Sequence, residues 1–112
     1  MQPPRENYAR KTPNYDAACF HAQQCVEKYF KARLQEAIIP FGKTHNLVVL
    51  LDLLLPLEPT WKTLRPEVQV LSLFAVEIRY PGTSADKVTA HEMVNICRRI
   101  RTLARTSLGL MP

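Results

Sequence analysis

Apolar residues recur at every third or fourth position along most of this chain, and proline or glycine interrupts the pattern between segments. From Asn14 onward, Tyr15, Ala18, Cys19, Ala22, Val26, Tyr29, Phe30 and Ala37 recur at helical spacing in a stretch rich in Ala, Gln, Glu and Lys. Asn14 can cap this helix and Pro40 with Gly42 ends it, so the pattern predicts a helix over 14–38. Thr44 offers a cap for a second helix over 45–56. Its Leu47, Leu50, Leu51 and Leu54 form one stripe, and Val48, Val49, Leu53 and Leu55 make the other sides apolar too. A helix apolar nearly all round is buried, and a subunit interface is one place for it.

Pro56, Pro59 and Pro66 mark a connection, with Pro66 suited to the first turn of a third helix over 65–80. Val68, Leu71, Ala75 and Ile78 share one face of it, Phe74 lies beside them, and Pro81-Gly82 stops it. Thr89-Ala-His-Glu92 has the spacing of a capping box and opens a fourth helix over 89–108, closed by Gly109. Met93, Ile96, Cys97, Ile100, Leu103 and Ala104 are its predicted inner face. Four helices, short connections and no strand predict an all-α, antiparallel up-and-down helical bundle. Residues 1–13, polar and proline-interrupted, are expected to be a loosely ordered segment ahead of a single domain over 14–109.

Composition narrows the class. At 112 residues and 46% hydrophobic, the chain suits one globular core and is too apolar for disorder. The longest apolar stretch, Leu47–Leu57, contains Asp52 and Pro56 and falls short of the roughly 20 residues a membrane span needs. With no basic-then-apolar leader either, the expected setting is cytoplasmic, with no membrane association. Cys19, Cys25 and Cys97 are an odd set without export signals, so reduced, buried thiols are expected and disulfides are not. Cys19 and Cys25 lie about 240° apart on a helix and cannot share a metal site; no metal or cofactor is expected.

The net charge is +5, and Arg98, Arg99, Arg101 and Arg105 follow Glu92 with no acidic residue among them. Arg98, Arg101 and Arg105 share a face and make a candidate phosphate or nucleic-acid stripe, although the dipole at a helix C-terminus favours arginine without any ligand. On the first helix, His21, Gln24, Lys28, Lys31 and Gln35 form one polar line. Its charges, amides and imidazole suit an anionic ligand that carries a base, while a solvated face with a Glu27–Lys31 pair explains the same pattern. No glycine-rich phosphate loop, G-x-S-x-G or carboxylate cluster is present to carry catalysis.

Asn14-Tyr-Asp-Ala-Ala-Cys-Phe-His-Ala-Gln-Gln-Cys-Val-Glu-Lys-Tyr-Phe-Lys-Ala32 closely resembles the second-helix signature of the HEPN family, the higher eukaryote and prokaryote nucleotide-binding domain. Lys43-Thr-His45-Asn-Leu47 resembles its K-T-H-x-L segment, and Ile78-Arg-Tyr-Pro-Gly82 its R-Y-P helix end, in the same order. Together these motifs cover about residues 14–108 and are similar to the small, stand-alone prokaryotic members. Family members carry a further helix ahead of the Y-D-A-A-C-F segment; here it looks truncated, which reduces five helices to four.

The resemblance implies a dimerising bundle, often encoded beside a minimal nucleotidyltransferase as a toxin–antitoxin pair. Some members are metal-independent ribonucleases with an R-x(4–6)-H motif, the arginine steadying phosphate and the histidine moving a proton. None of His21, His45 and His91 has an arginine in that window, so the implied role is non-catalytic. It would be a nucleotide-binding or interaction module, with ATP, GTP, RNA and the nucleotidyltransferase as candidate partners. An RNA endonuclease using a non-sequential Arg–His pair and a purely structural subunit are the alternatives. Within the nucleotide reading, His21, Gln24, Lys28, Lys31, His45, Arg79 and Tyr80 would line a cleft, Lys28 and Arg79 neutralising phosphate and Tyr80 stacking on a base.

Overall fold

The computed structural model describes residues 14–77 and 86–111, with side chains at 14–73 and 86–111. Among them stand α1 (Tyr15–Glu36), α2 (Leu47–Leu54), a 3₁₀ helix (Pro59–Leu64), α3 (Arg65–Glu77) and α4 (Lys87–Ser107), with no strand. The fold is all-α, and the described residues form four α-helices, as the periodicity predicts. The predicted loose segment 1–13 and the predicted Pro81-Gly82 stop lie outside the described residues.

Capping shifts two helix starts. Asn14 caps α1 as expected, its Oδ1 accepting from the Ala17 amide at 2.9 Å. Helix α2 starts not after Thr44 but after Asn46, whose side chain accepts from the amides of Val48 and Val49 at 2.9 and 3.2 Å; Thr44 Oγ1 instead accepts from the Asn46 amide. Helix α4 starts before the Thr89–Glu92 capping box, because Asp86 Oδ1 takes the Thr89 amide at 2.8 Å and so caps it earlier. The carboxylate that caps α4 is held below its ordinary pKa by the hydrogen bonds from Thr89.

The α1 and α4 ends are closed by the same device with different residues. In each, a residue of positive φ follows the cap, and two amides reach back to the last turn: Ile38 to Gln35 and Ile39 to Leu34, then Gly109 to Thr106 and Leu110 to Arg105. This is the Schellman arrangement, and its left-handed position normally belongs to glycine. Gly109 fits it at φ +80; Ile38 occupies it at φ +58 with its side chain 88% exposed. A β-branched side chain is strained there and gains nothing from burial.

The core gathers Phe30 and Leu34 of α1, Leu47, Leu50, Leu51 and Leu54 of α2, Val68 and Leu71 of α3, and Met93, Ile96, Ile100 and Ala104 of α4. The four-leucine stripe of α2 is therefore wholly internal, while Val49 on its other side stays exposed. Leu103, predicted to face inward, is 41% exposed on α4's outer side. Phe74, Ala75 and Ile78 lie outside the described side chains. The segment predicted as a plain connection contributes Trp61 and Leu64, and Trp61 stacks on Phe30 with ring centroids 6.1 Å apart.

Helix direction decides which polar faces meet. Cys25 of α1 meets Cys97 of α4, Tyr29 meets Arg105, and Arg33 meets Ser107, so α1 and α4 lie side by side and point the same way. Residues 37–46 carry the chain back until His45 bonds Glu27 in mid-α1, and α2 then sets off again toward Glu58, which bonds Arg33. Alternation resumes from there: Asp52 bonds Arg65 at the turn into α3, and α3 runs against α4 with Glu67 bonded to Arg99.

Relieving the α1 end should be visible in stability. Ile38→Gly is expected to stabilise the protein by about 1 kcal/mol in urea unfolding, since the strain disappears and no buried surface is lost. A loss of stability would show that the isoleucine side chain is packed in solution.

Candidate functional site

The polar line predicted on α1 divides in two. Glu27, only 14% exposed at its side chain, collects the donors on one flank: Lys31 at 3.0 Å, Gln23 at 3.3 Å and His45 Nδ1 at 2.7 Å. Lys31 also lies over the Phe41 ring, 5.6 Å from its centroid. Burial pushes the Glu27 carboxyl up, but hydrogen bonds from His45, Lys31 and Gln23 and the Lys31 charge outweigh it and hold the pKa low. Lys31 and His45 are thus committed to a carboxylate that fastens residues 41–45 to α1.

The other flank faces α4. His21 and Lys28 are exposed, Gln24 is half-buried, and the helical register puts all three beside Cys25, a neighbour of Cys97 on α4. One turn further along, the Tyr29 hydroxyl accepts from Arg105 Nη1 at 3.2 Å. Arg98 and Arg101 flank Cys97 closely enough that their charges act on its thiol. Because α1 and α4 run in the same direction, the two basic rows found separately in the sequence line opposite banks of one seam. Carboxylates stand at its two ends, Asp16 and Asp86 beside Cys19 and Glu58 at the Arg33–Ser107 contact.

The arginines differ in their freedom. Arg105 is tied at both ends, to Tyr29 and, through Nε, to the Met111 carbonyl at 2.6 Å, which is the structural use of a helix C-terminal arginine. Arg99 points the other way and pairs with Glu67. Lys28, Arg98 and Arg101 have no hydrogen bond or ion pair among the described residues. Arg79 and Tyr80, the remaining predicted site residues, lie outside the described residues. Tyr29 and Gln23 escape a sequence reading of the site. The first reads as an inward-facing aromatic and the second as one more solvated amide, until α4 and Glu27 are placed beside them.

Further along, Arg33 bonds Glu36 and Glu58, and Ser107 Oγ joins the Arg33–Glu58 pair, clamping the ends of α1 and α4 to the chain leaving α2. Among the described residues no three His, Cys, Asp or Glu side chains gather as a metal site, and no helix is long and apolar enough to cross a membrane.

The described residues define a small all-α helical module with basic side chains along the α1–α4 seam. Compared with protein families, residues 5–107 match the HEPN domain, and the chain belongs to that family. The match reaches into the proline-interrupted start ahead of α1. No curated protein and no solved structure matches the chain.

The Glu27 junction predicts a pH signature. A carboxyl whose folded pKa lies below its ordinary 4.5 contributes stability that is complete above that value and is lost as pH falls through the folded pKa. Glu27→Gln should cost roughly 1–3 kcal/mol at pH 7 in urea unfolding. The gap to wild type should close on acidification below the ordinary carboxylate range. A gap that stays constant with pH would place the effect elsewhere.

Proposed function

We propose that this HEPN-domain protein is a non-catalytic binding module that takes phosphate-bearing ligands, a nucleotide or RNA, on the α1–α4 seam. What supports this reading is that Lys28 on α1 and Arg98 and Arg101 on α4, helices that run side by side, are exposed and make no ion pair among the described residues. Each guanidinium can donate two parallel hydrogen bonds to a phosphate, and His21 and Gln24 add donors and acceptors for a base or sugar. The family's habits supply the rest of the proposal: a cytoplasmic homodimer that pairs with a minimal nucleotidyltransferase in a toxin–antitoxin arrangement. Val49 and Leu73, exposed on α2 and α3, support a subunit contact.

The endonuclease alternative keeps one point in its favour, since His21 stands on the same face as arginines although no R-x(4–6)-H motif exists. Cleavage of a labelled RNA by the metal-free protein, abolished by His21→Ala, would establish it and displace the non-catalytic reading.

Binding is tested by calorimetric titration with ATP, GTP and a short RNA. Replacing Arg98 and Arg101 together by alanine should weaken RNA binding about tenfold or more and lower the salt slope by about one for each phosphate contact removed. Lys31→Ala should leave the affinity nearly unchanged, because that ammonium already serves Glu27. Equal losses for both variants, or no binding by the wild type, would refute the seam.

A further inference from the structure

His45 is the exposed member of the junction that fastens the returning chain to α1, and only one of its ring nitrogens is used there. Nδ1 lies 2.7 Å from Glu27 Oε2, with the His45 side chain 79% exposed and that of Glu27 14%. The hydrogen bonds on Glu27 keep it ionised at neutral pH, and an ionised carboxylate only accepts, so the proton in this bond belongs to Nδ1. A neutral ring protonated at Nδ1 carries its free lone pair on Nε2, which has no partner among the described residues.

The ring is held in place by its neighbours. Thr44 Oγ1 accepts from the Asn46 amide at 3.0 Å and the Asn46 side chain caps α2, which fixes the backbone on both sides of His45. Lys31 bonds the same Glu27 oxygen at 3.0 Å, so its ammonium lies within a few ångströms of the imidazole, steadied over the Phe41 ring. Lys43, exposed, stands two residues ahead. An imidazole oriented by a carboxylate is an activated nucleophile, and the ammonium groups suit an anionic reagent. His21 and His91 are exposed as well, but neither bonds a carboxylate among the described residues.

We propose that His45 is a phosphoryl-accepting residue, modified at Nε2 by donors of the phosphoramidate class. The site stands on the Glu27–His45 geometry and is independent of the α1–α4 seam. The Nε2 lone pair attacks phosphorus and a nitrogen–phosphorus bond to the ring forms. The donor's own nitrogen–phosphorus bond breaks, and its amine leaves with that electron pair; from phosphoramidate itself the leaving group is ammonia. Nothing is oxidised or reduced. The ring keeps its Nδ1 proton and becomes cationic, a charge that Glu27 balances through the hydrogen bond already in place. Glu27 touches no phosphorus and acts as a positioning residue.

The test treats the full chain with potassium phosphoramidate at mildly alkaline pH and maps phosphopeptides in base, where phosphohistidine survives. His45 should be modified about tenfold faster than His21 or His91, the scale on which a carboxylate behind a histidine ring acts. Nuclear magnetic resonance of the modified ring should place the group on Nε2, an outcome that a merely structural contact would not set. In Glu27→Gln the His45 rate should fall to that of the other two histidines. In urea sufficient to unfold the wild type, all three should react alike. Equal rates in the native protein, a His45 preference that survives Glu27→Gln or unfolding, or a phosphoryl group on Nδ1 would each overturn the proposal.

Discussion

The same-direction packing of α1 against α4 is the constraint on which everything else in this protein rests. Hydrogen bonds can pair at Tyr29–Arg105 and Arg33–Ser107 only if both helices advance together from the Cys25–Cys97 contact. That direction depends on the return of residues 37–46, which takes ten residues to get back to mid-α1 and must then be fastened there. Glu27, gripped by Gln23, Lys31 and His45, is the fastening. Loosen it, and α2 loses the start from which its four buried leucines enter the core.

Charge is sorted by this arrangement rather than by the sequence. Carboxylates are placed where chain segments must be joined: Glu27 to the return loop, Glu58 between Arg33 and Ser107, Asp52 to Arg65, Glu67 to Arg99. Of the cations left over, Lys28, Arg98 and Arg101 lie on α1 and α4, while Lys43 and Lys62 lie on the connecting segments. A partly buried pair such as Glu27–Lys31 contributes through its geometry and the desolvation it survives. The exposed, unpaired seam arginines contribute nothing to folding and stay available to an anion.

Much of this is legible in the residues alone. The leucine stripe at 47, 50, 51 and 54 and the alternation of Met93, Ile96, Ile100 and Ala104 read directly as core, because burial on one face imposes the helical period. Family membership is legible in the Y-D-A-A-C-F segment and its companions. Helix starts are less so: Asp86 and Asn46 compete with Thr89 and Thr44, and which oxygen reaches an amide depends on backbone angles that composition does not carry. The 3₁₀ helix is invisible to periodicity, since Trp61 and Leu64, three residues apart, are too short a pattern to show a period. Ile38 in a glycine position has no sequence signal at all. For the site, each row can be read from its own helix, but their alignment needs helix direction, a long-range property.

Nuclear Overhauser contacts between α1 and α4 in the isotope-labelled protein test that direction without reference to any ligand. A rising ladder is expected, with Cys25 protons near Cys97, the Tyr29 ring near Arg105 and Arg33 near Ser107. A falling ladder, in which Tyr29 and Arg33 meet the Val88–Met93 end of α4, would contradict it and separate the two basic rows.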